Sequence, residues 1–396
     1  MRVLYVQYTN PGAYPPLVRG ATLLAESGAE VRVLGTRVRD TGALDVRPSK
    51  GVDVRLMNEA PEGWRLKAHY ARYGAWVARE VAAWKPDWIY ACDLFATPIA
   101  LGAAALTTGR VVYHEHDAPA AEQPNWVIKR CLDARTRLLH AAAIVVAPNA
   151  DRSARLSALA GGRQVFTVWN CPRRPTASKP HPTRPPDGLR VVFCGSINAE
   201  RLPLAVVEAL ARTATAVTLD VAGYETVGSR GYVGALAAHA KSLGVEQRVR
   251  FLGTISEDGR RVVFEQCDIG LALMPMASSD ENMRHMAGAS NKPFEYLSCG
   301  VAPLVSDLPD WRRMFVEPGY ALVCNPSQVQ SIAAAFEWAA GHRVAVREIA
   351  MRGWERLRFD WNYESQFAPV LEAMWGRSAD RSSGPSGATA EPECVS

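Results

Sequence analysis

The densest run of chemically capable residues is Ala289-Ser290-Asn291-Lys292-Pro293-Phe294-Glu295-Tyr296-Leu297-Ser298-Cys299-Gly300. Ser290 or Asn291 suits the N-cap of a helix, Pro293 fits its first turn, and Gly300 can end it in a left-handed conformation. The start of such a helix presents unpaired backbone NH groups and a positive dipole end. Lys292 adds a full charge there, so the segment is suited to a diphosphate. Glu295, one turn in, is placed to accept hydrogen bonds from two neighbouring ribose hydroxyls, each worth about 1.5–3 kcal/mol when charge-assisted. The same spacing also fits an ordinary capped helix with an i,i+3 ion pair.

A second group, Tyr113-His114-Glu115-His116-Asp117, closes a strand-like run. That is the carboxyl edge where open α/β sheets bind ligands. In an extended chain His114 and His116 share a face, yet no third ligand stands at metal-site spacing, so no metal is expected. Asp93 follows the run Trp88–Ala91 at the same edge, either facing a cleft or capping a turn. Near the N-terminus Asn10-Pro11-Gly12-Ala13-Tyr14-Pro15-Pro16 follows the first strand. Gly12 there allows close backbone approach to a ligand, and a proline-rich turn explains the loop equally well.

These residues need a scaffold of alternating strands and helices. Strand-like runs lie at Val3–Gln7, Val31–Leu34, Trp88–Ala91, Val111–His114 and Ile144–Val146. They resume at Val191–Cys194, Val217–Val221, Val249–Leu252, Ile269–Leu273, Pro303–Val305 and Ala321–Cys324. Helical spacing separates them, the pattern of parallel sheets with crossover helices. A basic, proline-rich stretch between the two sets cannot sit inside regular structure. The expected divisions are therefore a domain over 1–171, a linker over 172–188, a second domain over 189–358, a closing helix over 359–377, and a disordered tail over 378–396.

The composition, 48% hydrophobic and 21% charged over 396 residues, is that of a folded chain of about two domains. A net charge of +5 is too mild to argue for nucleic acid. Eight scattered cysteines without a C-x-x-C pair read as buried thiols of a reducing compartment. With no apolar run long enough to span a bilayer and no signal-peptide pattern at the start, a cytoplasmic protein is expected. The stretch from Trp64 to Lys85 mixes aromatic and basic residues at helical spacing. It reads either as a domain helix with an aromatic core face or as a membrane-surface face.

The segment S-N-K-P-F-E-Y-L-x-C-G with the following V-x-x-L-V-S-D resembles the donor-binding segment of family-4 retaining glycosyltransferases of the GT-B fold, and the likeness spans nearly the whole chain. Supporting pieces are Val192–Arg201, Val221-Ala222-Gly223, Val249–Gly253 and Trp361-Asn362-Tyr363-Glu364. The resemblance implies two facing Rossmann-like domains, with a C-terminal helix, together with Trp361, crossing back to the first. It implies transfer of a sugar from a nucleotide-diphosphate sugar, of UDP or GDP type, to a carbohydrate, lipid-linked or small-molecule acceptor, with no metal and no other cofactor.

By the same resemblance Glu295 holds the ribose, Arg201 stands where the family has a diphosphate-binding lysine, and Gly195 lets the backbone approach the phosphates. Ser196 replaces a second basic residue, while Gly253, Ser290 and Asn291 border the donor. His116 is the histidine near the reacting sugar and Asp117 orients acceptor groups, while Asp93 and His114 are acceptor candidates by their place at the same sheet edge. The family's first glutamate, eight positions before Glu295, is Ala287 here. That departure keeps open a non-catalytic sugar-nucleotide binding or partner subunit, and the fold alone also admits an epimerase or phosphorylase.

Overall fold

A computed structural model of the chain describes residues 1–37, 50–61, 63–119, 125–175, 180, 188–214 and 216–376. The first domain runs β1 (Arg2–Val6), α1 (Pro15–Glu26), β2 (Glu30–Thr36), β3 (Val52–Met57), α2 (Trp64–Trp84), β4 (Trp88–Cys92), α3 (Asp93–Ala104), β5 (Arg110–His114), α4 (Trp126–Ala141), β6 (Ile144–Ala147), α5 (Ala150–Leu159) and β7 (Phe166–Thr167). The second runs β8 (Leu189–Ser196), α6 (Leu204–Arg212), β9 (Val217–Tyr224), α7 (Tyr232–Ser242), β10 (Val249–Gly253), α8 (Glu257–Phe264), β11 (Ile269–Ala272), α9 (Glu281–Arg284), α10 (Asn291–Ser298), β12 (Ala302–Ser306), α11 (Pro309–Trp311), β13 (Leu322–Cys324), α12 (Val329–Gly341) and α13 (Arg343–Phe359). A last helix, α14, spans Tyr363–Trp375.

The first sheet has the order β3-β2-β1-β4-β5-β6-β7 and the second β10-β9-β8-β11-β12-β13, with parallel pairing in both. Each sheet winds outward in opposite directions from its first strand. That creates a crevice at the carboxyl ends, between β1 and β4 in one domain and β8 and β11 in the other. Helices cover both faces, so the central strands are apolar throughout: Val3, Leu4, Tyr5 and Val6 are all fully buried.

The strands expected from sequence are present, and β3 and the short β7 join them. Strand β3 escapes an apolar-run reading because it is an edge strand that alternates Val52, Val54 and Leu56 with Asp53 and Arg55. Its polar side is held by ion pairs, Arg32 to Asp53 at 3.0 Å and Arg55 to Glu80 at 2.9 Å.

The chain passes between the domains twice, and the two crossings lie side by side. Tyr363 N donates to Pro172 O at 2.8 Å, and Arg173 bonds both Glu26 (2.8 Å) and Glu364 (2.5 Å). Beyond the crossing α14 lies on the first domain. Tyr363, Phe367, Val370 and Met374 join the apolar cluster of Val3, Tyr5, Leu17 and Tyr90, and Trp88 Nε1 donates to Met374 O at 3.2 Å.

Trp361 does not accompany the helix as expected. It stays in the second domain, with ring centroids 5.5 Å from Phe294, 5.5 Å from Phe315 and 4.9 Å from Tyr320, because that aromatic cluster buries a large indole that the two-residue step to α14 would otherwise leave in the crossing. Most of the expected linker, 176–179 and 181–187, and the expected tail lie outside the described residues. The described cysteines are all free, and six of the seven are buried.

Phe367 carries the contact between α14 and the first sheet. Phe367→Ala should lower the stability of the N-terminal domain by about 3–5 kcal/mol, read as a fall in the urea midpoint of its unfolding transition.

Candidate active site

In the second domain β8 ends at Gly195-Ser196 beside the Gly223-Tyr224 end of β9. Both glycines are held at positive φ, +129° and +147°. A Cβ on Gly223 would lie 1.8 Å from the Gly195 carbonyl oxygen, and one on Gly195 would lie 3.1 Å from Lys292 Cε. The strand ends are therefore bare backbone facing a lysine.

Lys292 enters this wall from the first turn of α10. Its side chain is buried, with Nζ 4.3 Å above the Phe193 ring and no hydrogen-bond partner among the described residues. Burial, and then the neighbouring Arg201, push its pKa well below the usual lysine value. Arg201 Nη1 donates to Ser196 Oγ at 3.1 Å, while its buried Nε is also unpartnered. Two adjacent cations with unpartnered donors, set against exposed backbone, form a site shaped for an anion.

Glu295, one turn further along α10, is fixed by two guanidinium groups. Arg19 Nη2 donates to Oε1 at 3.1 Å and Arg260 Nη1 to Oε2 at 3.0 Å. Arg19 comes from α1 of the first domain and also donates to Cys171 O (2.8 Å) and Asn291 Oδ1 (3.1 Å). A carboxylate has about four lone-pair sites, so two remain on Glu295 for a ligand's hydroxyls. Ser290 stands at the N-cap without a side-chain bond, and Asn291 holds Arg19 instead of capping, so the expected side-chain cap of α10 is not made. Arg19 and Arg260 were not legible in the sequence, because each lies within a helix far from α10 with no motif around it.

The facing wall is built at the β1/β4 crevice. Asp93 opens α3 in the left-handed conformation, φ +62°. Its Oδ1 accepts from the backbone NH groups of His116 (2.7 Å) and Asp117 (3.2 Å), and Oδ2 from Gln7 Nε2 at 3.3 Å. Burial, and next the charge of Asp117, raise the Asp93 pKa to about 8. Water reaches Asp117, yet the surrounding protein encloses it enough that desolvation raises its pKa too, with Arg152 and Arg201 opposing.

His116 is buried between the rings of His114 (3.9 Å) and Tyr14 (5.7 Å), and neither ring nitrogen has a partner. Burial lowers its pKa to about 3, so the ring is neutral at physiological pH. His114 shares a hydrogen bond between Nδ1 and the Tyr90 hydroxyl at 2.8 Å and lies deeper, towards the core. Among the described residues no further ligand completes a metal-binding group with these two rings. A cavity of about 330 Å³ opens beside them, lined by Gln7, Tyr8, Tyr14, Asp93, Phe95 and Asp117 among others.

The walls are joined by residues of and around α9. Asn282 exchanges two hydrogen bonds with Ala118 (2.7 and 2.9 Å), and Arg152 of α5 donates to His116 O (2.8 Å) and Asn282 O (3.2 Å). The structure thus gathers Gly195, Ser196, Arg201, Lys292, Asn291 and Glu295 on one wall and Asp93, His116 and Asp117 on the other. Gly12 lies in the short turn Pro11–Ala13, its NH bound to Asn10 Oδ1 at 2.9 Å, and Gly253 ends edge strand β10 with open space around it. At Ala287, where a first glutamate was lacking, the following backbone is taken up by Asn170, whose N donates to Gly288 O (2.8 Å) and whose Nδ2 donates to Ala289 O (2.6 Å).

Two facing Rossmann-like domains with this return of the last helix define the GT-B fold. The structure is similar to HepE from Anabaena, crystallised with UDP and glucose, at a TM-score of 0.71 and 19% identity over 95% of this chain and 100% of that one. It is similar to sucrose-phosphate synthase from Thermosynechococcus elongatus, TM-score 0.74 and 13% identity over 96% and 100%. A third likeness is to an α,α-trehalose-phosphate synthase from Burkholderia xenovorans in complex with glucose-6-phosphate, TM-score 0.65 and 11% identity over 95% and 100%. Residues 188–341, the greater part of the second domain, match the family model described as glycosyl transferases group 1. No curated protein matches the chain.

The Asp93 geometry sets a pH dependence. Its folded pKa of about 8 lies above the ordinary 3.8, so the folded state holds the extra proton between these values. The associated stability is present at acid pH and is lost as pH rises through 8. Asp93→Asn keeps the left-handed backbone, and its amide can pair with Gln7 Oε1, which is otherwise unpartnered. Thermal melts should show the variant close to wild type at pH 4 and increasingly more stable than wild type towards pH 9. A margin independent of pH would contradict the assignment.

Proposed function

We propose that this protein is a retaining, family-4-type glycosyltransferase, which moves a sugar from a UDP- or GDP-type donor to an acceptor held on the N-terminal domain. The observation that carries the proposal is the buried, unpartnered Lys292 ammonium beside Arg201, facing the Gly195 and Gly223 backbone. A donor diphosphate is an anion that accepts from both groups. The group 1 family match over 188–341 and the UDP- and sugar-bound neighbours support the same donor chemistry.

In this reading Glu295 accepts hydrogen bonds from the ribose through its two remaining lone-pair sites, oriented by Arg19 and Arg260. The anomeric carbon lies between the walls, close to His116, which as a neutral ring offers one donor and one acceptor to the sugar. The acceptor hydroxyl attacks from the face the diphosphate leaves. The departing phosphate oxygen takes the proton, so no enzyme nucleophile is required. Lys292 and Arg201 stabilise the charge that develops on the leaving group, the part a metal plays in other enzymes. Turnover should then persist in EDTA.

One observation favours a second reading, a binding subunit without turnover. Ala287 offers no carboxylate to the sugar, and the adjacent backbone is occupied by Asn170. Acceptor-dependent release of nucleoside diphosphate separates the two readings.

Arg201→Ala should lower turnover by roughly 100- to 1000-fold, the scale of losing one electrostatic stabiliser of a transition state. Lys292→Met gives effects of opposite sign. Without donor it should raise the melting temperature by a few degrees, because an unpaired buried donor costs about 1–3 kcal/mol. With UDP-glucose or a GDP-sugar it should abolish the ligand-induced rise that the wild type shows. A variant less stable than wild type that still responds fully to donor would overturn the assignment.

A further inference from the structure

Two tryptophans stand in water at the ends of neighbouring helices. Trp64 opens α2 and is 74% exposed, and Trp126 opens α4 and is 64% exposed. Leu66, at 41%, lies beside the first. None is needed for folding, since the buried face of α2 is made by Tyr73, Val77 and Val81. Lys67 Nζ reaches over the Trp126 ring at 5.7 Å and Arg65 stacks on Trp64, so indoles and cations form one continuous surface across the two helix starts.

The charge of this face is one-sided. The exposed residues of α2 and α4 include seven arginines and lysines and a single carboxylate, Asp133. The seven are Arg65, Lys67, Arg72, Arg79, Lys129, Arg130 and Arg137. Their surplus exceeds the +5 of the entire chain, so the remainder of the molecule is close to neutral and the positive field is concentrated here.

We infer that the starts of α2 and α4 dock the protein on an anionic lipid bilayer. Indole rings combine an apolar body with a polar NH and settle at the depth of the headgroups, while the cations pair with lipid phosphates. No helix among the described residues is long and apolar enough to cross a membrane, so the attachment is to one surface. Ile128, two residues along α4 from Trp126, and Phe95 line the 330 Å³ cavity, which therefore opens beside the docking face. On the glycosyltransferase reading, this presents the acceptor wall to molecules held in the bilayer.

The experiment is sedimentation of the full chain with phosphatidylcholine vesicles, with and without phosphatidylglycerol, at low and raised salt. Wild type should bind only the phosphatidylglycerol vesicles, more weakly as salt rises, with a blue shift of tryptophan emission. A Lys67→Glu, Lys129→Glu, Arg130→Glu variant should bind roughly tenfold or more weakly. Trp64→Ala with Trp126→Ala should weaken binding and remove the blue shift. All five side chains are exposed, so melting temperatures should match wild type, and the response to UDP-glucose is retained, which separates failure here from failure of the donor reading.

Absence of binding at low salt, equal binding to pure phosphatidylcholine, or unchanged binding by either variant would overturn the inference. So would retention on heparin that the tryptophan variant leaves untouched while vesicle binding is lacking, which would mark the face as a general polyanion site.

Discussion

A guanidinium group that reaches from one helix into two other chain segments must find acceptors in both, and Arg19 does so. Its bonds reach Cys171 O in the outward crossing, Asn291 Oδ1 at the start of α10 and Glu295 Oε1 one turn later. Because the residue itself sits on α1, the first domain fixes the orientation of a carboxylate that belongs to the second. A buried ion pair adds little net stability relative to an apolar replacement, but removing one member strands the other charge. Its effect is therefore on arrangement: the domains meet where this group is satisfied.

The two walls of the cleft are electrostatically unlike. On the C-terminal side, Lys292 and Arg201 crowd against bare backbone. On the N-terminal side, Asp93 and Asp117 crowd each other, and burial favours the proton on them. The Arg152 and Arg201 charges lie between and favour ionised Asp117. Charge introduced on one wall therefore alters proton occupancy on the other across the cleft, with no movement of the backbone.

The architecture was legible because both sheets are built from apolar runs at βα spacing, and the break between them is rich in proline. What escaped was the edge strand β3, whose alternating charges disguise it, and the side of the boundary on which Trp361 packs, which depends on Phe294, Phe315 and Tyr320 assembling from distant sequence. At the site, Lys292, Glu295, Arg201 and Gly195 come from compact motifs, and the structure sets them together on one wall. The partners of Glu295, Arg19 and Arg260, lie in helices distant in sequence and carry no motif, so their placement follows only from tertiary packing. The cap expected of Asn291 was displaced by the same packing, since its oxygen serves Arg19.

The adjacency of the two interdomain crossings has a mechanical consequence. Both connections run through one small region, stitched by Tyr363 to Pro172 and by Arg173 to Glu26 and Glu364. Two tethers fastened at a single edge resist sliding and separation of the bodies they join, and leave swing about that edge to be opposed by other contacts. Those are the buried Arg19 pairing with Glu295 and, along the far rim, Asn282 against Ala118, Arg152 on Asn282 O, Asn149 on His285 O and the Arg155–Glu281 ion pair. The geometry is that of a door with both hinges on one jamb and its latches along the opposite edge.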